Sequence, residues 1–256
     1  MPTRVLFIPL LLLLLLAAPA RAEDLVALYQ ADWAGMPAAD LRLTVHEGAD
    51  GYRNEMEIRT LGLARWVSKF HGTAAGVGRV VAGHLPAAAS FDAHYDLRKR
   101  KNRVLGMRFI AAGGATIAER TPDDTSRKPA LAAEFRRNVV DPLGALAAIR
   151  QQLREHPGAG FTIPVYDGAR RFDAIAADPP RHENGTLVLA LTLRAIAGFK
   201  GESSEDGDPD DAPRPATLTL TDDARLMPLS MTVPIYYLPL TVTLSRWCSA
   251  AQPCPW

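Results

Sequence analysis

The sequence lacks three features that would assign it to a well-defined functional class. Its 29 Lys and Arg residues nearly balance its 28 Asp and Glu residues, so there is no basic excess to predict nucleic-acid binding. Its two cysteines do not have the C-x-x-C spacing of redox or zinc sites. After residue 22, no apolar run approaches the roughly 20 residues of a transmembrane helix. The composition is globular and does not fit collagen, coiled coil or a disordered tail.

The start of the chain predicts export. An apolar run from Val5 to Leu16 follows Arg4, and Ala20-Arg21-Ala22 has the small-x-small pattern of a leader-peptidase site. We therefore predict a signal peptide over residues 1–22 and a periplasmic mature chain with no transmembrane segment. Loss of Arg4 and Arg21 changes 29 basic residues to 27 against 28 acidic ones, which gives a net charge of about −1.

The two cysteines stand near the C-terminus. An even number of cysteines in an exported chain favours a disulfide, so we predict a bridge between Cys248 and Cys254. Two free thiols or a shared metal site are the alternatives. Because no His lies between or beside these cysteines, we predict no metal ligands here.

Alternation of apolar and polar residues with a period of two predicts a β-rich chain. Leu41, Leu43 and Val45 form one such apolar face, and the turn residues Gly48 to Gly51 join this strand to the next as a hairpin. Strand patterns recur to the C-terminus. The predicted strands are residues 25–33, 40–46, 52–59, 70–81, 90–97, 103–111, 115–120, 161–165, 171–176, 186–195, 217–221, 229–235 and 240–245.

One helix is predicted with well-defined ends. Asp141 is a favourable N-cap, and Pro142 at the first helical position has no N–H to lose. Apolar residues then recur at three- and four-residue steps, Arg150 and Arg154 suit the C-terminal end of the helix dipole, and Pro157-Gly158 ends the segment. A weaker helical or irregular segment is predicted over residues 61–70.

These elements together predict a mainly β fold. Many alternating strands around one helix favour a curved antiparallel sheet, or an open half-barrel, that wraps the helix at about residues 142–155. We expect one β-rich domain over residues 23–256. The acidic, aperiodic residues 201–215 are expected to form a mobile surface loop within it.

Catalytic motifs are absent from the sequence. It contains no H-E-x-x-H, no G-x-S-x-G, no Walker loop and no complete G-x-G-x-x-G, of which Gly76-Val77-Gly78 is only a fragment. We therefore predict a protein that is not an enzyme and has no catalytic residues, cofactor or metal. The least scattered polar set is His84, Asp92 and His94. This set would hold a metal or a general-base pair if His84 approached the other two, but outward polar positions on a strand are the favoured interpretation.

Two charged segments have open interpretations. The basic run Arg98-Lys99-Arg100-Lys101, followed by Arg103, is either a solvated hairpin tip or a contact for anionic lipid headgroups. The acidic residues between 205 and 211 are either a solvated loop or a weak calcium site without EF-hand spacing. Aromatic residues are candidates for the rim of an apolar cavity, with ordinary core as the alternative. These aromatic residues are Trp33, Trp66, Tyr236 and Tyr237.

Short segments in a characteristic order resemble the exported bacterial family called domain of unknown function 3108. They are Tyr29 to Gly35, Tyr52, Gly83-His84-Leu85-Pro86, Val140-Asp141-Pro142-Leu143, Asp167-Gly168, Arg170-Arg171-Phe172, Thr221-Asp222-Asp223 and Arg225-Leu226-Met227-Pro228. A Ser often found soon after the family's D-P-L is Gly144 here, a departure expected to matter little structurally. The acidic loop looks like an insertion.

The resemblance implies a curved β-sheet protein of the cell envelope. The implied architecture is similar to that of periplasmic lipoprotein carriers, whose half-barrel encloses acyl chains around a helix. It implies no known activity and no catalytic residues.

Two functions follow as hypotheses. The first is a non-enzymatic binding or carrier module for a lipid-like or other amphiphilic ligand, sheltered on the concave apolar face. The second is a structural or partner-binding envelope protein with a packed core and functional loops. The residues predicted to line a ligand site, or equally a core, are Leu43, Met56, Ile58, Leu189, Leu191, Met231, Val233 and Leu240.

Overall fold

The protein is described here from a computed structural model. The structure describes residues 25–48, 50–62, 70–97, 100–121, 131–199, 212–235, 237–248 and 254, with only the backbone of residues 97 and 100–102. The described part consists mainly of β-strands, as predicted. The strands are β1 (Leu25–Trp33), β2 (Met36–Glu47), β3 (Tyr52–Thr60), β4 (His71–Arg79), β5 (Ala87–Leu97), β6 (Arg100–Ala112), β7 (Ala115–Thr121), β8 (Phe161–Tyr166), β9 (Arg171–Ala176), β10 (Arg181–Glu183), β11 (Thr186–Ala197), β12 (Arg214–Thr221), β13 (Pro228–Ile235) and β14 (Leu238–Cys248).

All of these strands belong to one antiparallel sheet. Its order is β7-β6-β5-β4-β3-β2-β1-β14-β13-β12-β11-β9-β8, with the short β10 also paired to β11. Because β1 pairs with β14, the first and last strands lie side by side in the middle of the sheet. The two free edges are therefore β7 and β8, whose connection contains the helical segments.

A short segment of that connection links the two edges. The amide of Asn138 donates to the Thr116 carbonyl of β7 at 2.7 Å. The amide of Val140 donates to the Pro164 carbonyl of β8 at 2.9 Å. The backbone amide of Tyr166, also on β8, donates to the Val140 carbonyl at 2.9 Å. Since these bonds join both edges through one strap of chain, the sheet forms a nearly closed barrel.

The predicted helix, α1 (Pro142–Glu155), lies inside this barrel. Asp141 caps it by accepting hydrogen bonds from the Leu143 amide at 2.9 Å and the Gly144 amide at 2.8 Å. Eight of its fourteen residues are buried, which is more than one apolar stripe of a surface helix. A short 3₁₀ helix, Ala133–Arg136, precedes it.

The helix divides the core into two apolar clusters. Ile149 and Leu153 pack with side chains of β8, β9, β11 and β12. Leu143 packs on the other side with side chains of β1, β2, β5 and β6. The helix therefore packs between the two halves of the barrel and contributes side chains to the core of each.

The two ends of the barrel differ. The β2–β3 and β4–β5 connections lie at the end where α1 packs, which we call the helix end. There, Nε2 of Gln151 on α1 donates to the Val81 carbonyl at 2.9 Å and to the His84 carbonyl at 3.0 Å. The β1–β2, β5–β6, β8–β9 and β13–β14 connections lie at the opposite end, which we call the distal end.

The predicted boundaries agree closely with these elements. The helix and two of the strands, β1 and β9, begin and end where they were predicted. The turn residues Asn184 and Gly185 have φ of 48° and 77°, the left-handed values that suit a tight hairpin turn.

Several details differ from the prediction. The strand β10 was missed because three residues carry too little periodicity. Arg214 and Pro215, predicted as loop, begin β12, and β14 begins at Leu238, two residues before the predicted strand start at residue 240. Most of the weak segment 61–70 and of the acidic segment 201–215 lies outside the described residues.

Candidate functional site at the distal end of the barrel

The eight residues predicted to line a ligand site divide into two groups. Leu43, Leu189 and Leu191 are buried core residues. The other five are only partly buried, although their strand pairing directs them to the same inner face. These five are Met56, Ile58, Met231, Val233 and Leu240.

The partly buried group lies mostly toward the distal end. Ile58 is two residues from the end of β3, Val233 is two residues from the end of β13, and Leu240 is two residues after the start of β14. Val233 and Leu240 are direct partners across the β13–β14 pair. An apolar inner surface therefore remains partly accessible where the helix does not fill the barrel.

A pocket of about 200 Å³ lies at the same end, beside the ends of β9, β11 and β12. Phe172, Leu193 and Phe199 contribute its apolar side. Phe172 and Leu193 pack against the same core cluster as Met231 and Val233. The apolar wall of the pocket and the partly buried inner face therefore adjoin the same core.

Two arginines border this pocket. Arg214 pairs directly with Leu193 in the β11–β12 register, which directs both side chains to one face of the sheet. The Arg170 guanidinium lies 5.6 Å from the centroid of the Phe199 ring and 3.5 Å from an Asp167 carboxylate oxygen. The pocket thus combines apolar walls with two arginines and the Asp167 carboxylate at its border.

The helix end contains a buried ion pair instead. Nη1 of Arg150 lies 2.5 Å from Oε1 of Glu47, and their side chains are only 6% and 10% exposed. Arg154 reaches the other oxygen of Glu47 at 3.2 Å, and Nη2 of Arg150 donates to the Arg225 carbonyl at 2.6 Å. Burial lowers the pKa of Arg150, and the Glu47 carboxylate opposes this shift. The pair fixes α1 to β2 and to the loop before β13.

The start of α1 contains a second buried polar group. The Tyr52 hydroxyl donates to Oδ2 of Asp141 at 3.3 Å, and Nδ2 of Asn54 donates to the Leu143 carbonyl at 3.1 Å. Burial raises the pKa of Asp141 from 3.8 to about 6, although the amides of Gly144 and Leu143 oppose the shift. These contacts seat the helix on β3.

Two glycines leave room for Asp141 and Tyr52 at the start of α1. A Cβ on Gly76 would lie 2.5 Å from Oδ1 of Asp141, and one on Gly144 would lie 2.5 Å from the Tyr52 hydroxyl and 2.7 Å from Oδ2 of Asp141. The Gly76-Val77-Gly78 segment is thus part of a strand under the helix, not a phosphate loop. A side chain at position 144 would require Tyr52 or Asp141 to move.

The raised pKa of Asp141 predicts a pH-dependent stability. Between about pH 4 and pH 6 the folded chain holds this proton while the unfolded chain has lost it, so the free energy of unfolding falls as pH rises and then levels off. The Asp141→Asn variant keeps a cap acceptor but cannot ionise. We expect the stability of the native chain relative to this variant to fall by about 2–3 kcal/mol between pH 4 and pH 7, measured by urea unfolding. Parallel pH curves for the two proteins would contradict the assignment.

The predicted polar set is not brought together. Asp92 and His94 do lie on one outward face of β5, but His84 is in the β4–β5 connection at the helix end, where its Nδ1 is 3.1 Å from the Ala82 carbonyl. Asp92 is paired with Arg108 at 3.0 Å. Within the described ranges, no group of three His, Cys, Asp or Glu residues is close enough to hold a metal ion.

Asp92 and His94 line an outer groove of about 600 Å³. Its floor is formed by the small β4 side chains Thr73 and Ala75, and charged rows on β3 and β5 flank it. Much of this charge is already paired within the protein, as Arg53 is with Glu55 at 2.7 Å. The groove resembles a solvated polar face more than a ligand site.

The remaining sequence predictions concern the termini and loops. The disulfide between Cys248 and Cys254 is present, with Cα atoms 5.5 Å apart. The predicted signal peptide and residues 98–99 of the basic run lie outside the described part of the chain. No helix among the residues that the structure describes is long and apolar enough to cross a bilayer.

Comparison with known families identifies the chain. Residues 28–235 match the model of the family described as "Protein of unknown function (DUF3108)". The chain belongs to this family. The match runs from within β1 to the end of β13.

A solved structure has a similar fold. The crystal structure of a beta-barrel-like protein of domain of unknown function DUF1849 from Brucella abortus aligns with a TM-score of 0.53 at 10% identity. The alignment covers 89% of this DUF3108 chain and 98% of the other. The likeness is one of fold. The search of the curated proteins gave no significant match.

Sequence reasoning missed the buried Arg150 at the helix end and the two arginines that border the distal pocket. Arg150 was interpreted as a partner of the helix dipole, yet it is buried against Glu47. The available signal was position, because Arg150 follows Leu146 by four residues and precedes Leu153 by three, which places it on the apolar side of α1. Arg170 and Arg214 had no such signal, since only the folded sheet brings them beside Leu193.

Proposed function

We propose that this DUF3108 protein is a non-enzymatic, periplasmic binding or carrier module for an amphiphile with an anionic head. The observation that carries the proposal is the pocket in which Leu193 and Phe172 lie beside Arg170 and Arg214. The acyl chain would contact the partly buried inner face, and the arginines would pair with a carboxylate or phosphate head.

Electrostatic and apolar contributions have separate roles in this proposal. Burial of methylene groups against Phe172 and Leu193 supplies affinity at about 25 cal/mol per Å². A charge-assisted hydrogen bond to a guanidinium selects an anionic head. Neither contribution needs a catalytic group, in keeping with the absence of catalytic motifs from the sequence.

The first experiment asks for a natural ligand. The protein would be purified from cells that export it, extracted with organic solvent and analysed by mass spectrometry. Co-purifying lipid at near-stoichiometric amount supports the proposal. A clean protein that also fails to take up an added amphiphile supports the alternative of a packed core with functional loops.

A binding titration tests the pocket directly. cis-Parinaric acid fluoresces when its chain leaves water for an apolar site, so its titration reports the affinity. Leu193→Gln is expected to weaken binding about tenfold, because a polar amide replaces part of the apolar wall. Arg214→Gln is expected to weaken binding of the acid but not of its methyl ester, which lacks the charge.

The matched control is Val104→Gln. Val104 is 46% exposed, and it pairs with His94 on the outer face of β6. Its variant should bind the probe within twofold of the native chain. An equal loss in both Gln variants, or no fluorescence gain with the native chain, overturns the proposed site.

A further inference from the structure

Two neighbouring hairpin tips at the distal end carry no charge. Residues 33–39 read W-A-G-M-P-A-A and residues 234–240 read P-I-Y-Y-L-P-L, with no Asp, Glu, Lys, Arg or His in either. The first segment joins β1 to β2 and the second joins β13 to β14. In a chain with 22% charged residues, two adjoining uncharged tips form an unusual surface.

The two tips form one continuous surface. Trp33 pairs with Leu240 across β1 and β14, and the Ala34 amide donates to the Pro239 carbonyl at 2.9 Å. Nε1 of Trp33 also lies 3.4 Å from the Ile235 carbonyl. Because backbone and side-chain bonds connect them, the two tips project together. We call Trp33, Met36, Tyr237 and Leu238 the aromatic tip.

The side chains of the aromatic tip are unusually accessible. Tyr237 is 85% exposed, and Met36 and Leu238 are 49% and 44% exposed. Tyr237 also has a φ of 66°, a left-handed value for which Asn or Gly is the ordinary choice. The requirements of the turn therefore do not explain a Tyr at this position.

The distal end also carries basic residues. Strand β5 ends and strand β6 begins at this end, and β6 opens with Arg100 and Lys101. Four strand spacings separate β5 from β1 in the sheet order, which is roughly 20 Å. Exposed Trp, Tyr and Leu at the same end of the barrel as Lys and Arg is the composition of surfaces that bind anionic bilayers.

We infer that the aromatic tip docks onto the surface of an anionic lipid bilayer. Trp33 and Tyr237 would sit at headgroup level, Met36 and Leu238 would enter the acyl boundary, and the charges of Arg100 and Lys101 at the start of β6 would add attraction to anionic headgroups. Docking needs no ligand inside the barrel, so the inference stands apart from the binding proposal. It does present the distal pocket to the membrane.

Vesicle sedimentation tests the inference. The exported protein would be mixed with vesicles of phosphatidylethanolamine and phosphatidylglycerol in a 3:1 ratio, and separately with pure phosphatidylcholine vesicles. We expect binding to the anionic vesicles to be at least fivefold stronger and to weaken with added salt. The double variant Met36→Ser with Leu238→Ser should lower the partition coefficient about tenfold, since two apolar side chains no longer enter the bilayer.

The control uses equally exposed apolar residues away from the tip. Val104 and Ile110 on β6 are 46% and 47% exposed, close to the values for Met36 and Leu238. The double variant Val104→Ser with Ile110→Ser should bind vesicles within twofold of the native chain. A single Tyr237→Asn variant, which suits the left-handed turn, should lose about threefold and keep native stability.

Other results overturn the inference. No sedimentation of the native chain with either vesicle, or equal loss in both double variants, would exclude a lipid surface as the partner. If the tip variants instead lost a co-purifying envelope protein, the tip would be a protein interface. The pocket variants Leu193→Gln and Arg214→Gln are expected to sediment normally, so failure of one proposal is distinguishable from failure of the other.

Discussion

Replacement of Glu47 by Gln is expected to lower the free energy of unfolding by about 3 kcal/mol or more. Arg150 has a side chain that is only 6% exposed, and Glu47 is its ion-pair partner at 2.5 Å. In the variant the guanidinium stays buried with no carboxylate beside it, and desolvation of an uncompensated charge is costly. Urea unfolding followed by circular dichroism measures the change.

Two further variants separate the buried charge from general damage. Glu55→Gln removes an exposed pair with Arg53 and should change stability by less than about 1 kcal/mol. Glu47→Gln combined with Arg150→Met removes both buried charges and should regain most of the lost stability. If Glu47→Gln unfolds at the native urea midpoint, the ion pair does not hold α1 in the barrel.

A Val at Gly76 is expected to be similarly destabilising, by about 3 kcal/mol. Its Cβ would lie 2.5 Å from the capping oxygen of Asp141 and 3.0 Å from Cβ of Leu143. Neither neighbour can withdraw easily, because Asp141 is held by two backbone amides and Leu143 is core. The variant would combine overpacking with loss of the helix cap.

The adjacent residue provides the control for this variant. Ala75 lies on the same strand but lines the outer groove, so Ala75→Val adds the same β-branched side chain outside the barrel. Its stability should stay within about 1 kcal/mol of native. Equal losses at both positions would mean that β4 is sensitive to any enlargement and that packing under the helix is not the cause.

The strands and the helix were predictable because their signals are local. Alternation such as that of Leu187, Leu189 and Leu191 gives the period of a strand directly, and Asp141 with Pro142 marks the helix start. The mainly β class, the helix at residues 142–155 and the disulfide follow from such signals together with the predicted signal peptide. The family resemblance rested on the order of short segments and is confirmed over residues 28–235.

The closure of the barrel was not predictable in the same way. An open half-barrel was one expectation, and the structure is nearly closed because residues 138 to 140 hydrogen-bond to both β7 and β8. No periodicity marks such a strap, since each contact is one isolated bridge between distant parts of the chain.

The candidate site shows the same difference between what local sequence patterns predict and what contacts between distant residues determine. The pattern of residues predicts that Met56, Ile58, Met231, Val233 and Leu240 share an apolar face, because strand alternation fixes the side of the sheet on which each residue lies. Local pattern does not predict that these five residues stay partly accessible, while Leu43, Leu189 and Leu191 are buried. Burial depends on which strands and which part of α1 lie opposite, and that is set by contacts between residues far apart in the chain. Contacts between residues far apart in the chain also bring Glu47 to Arg150. The same kind of contact joins the β1–β2 and β13–β14 hairpins into the aromatic tip.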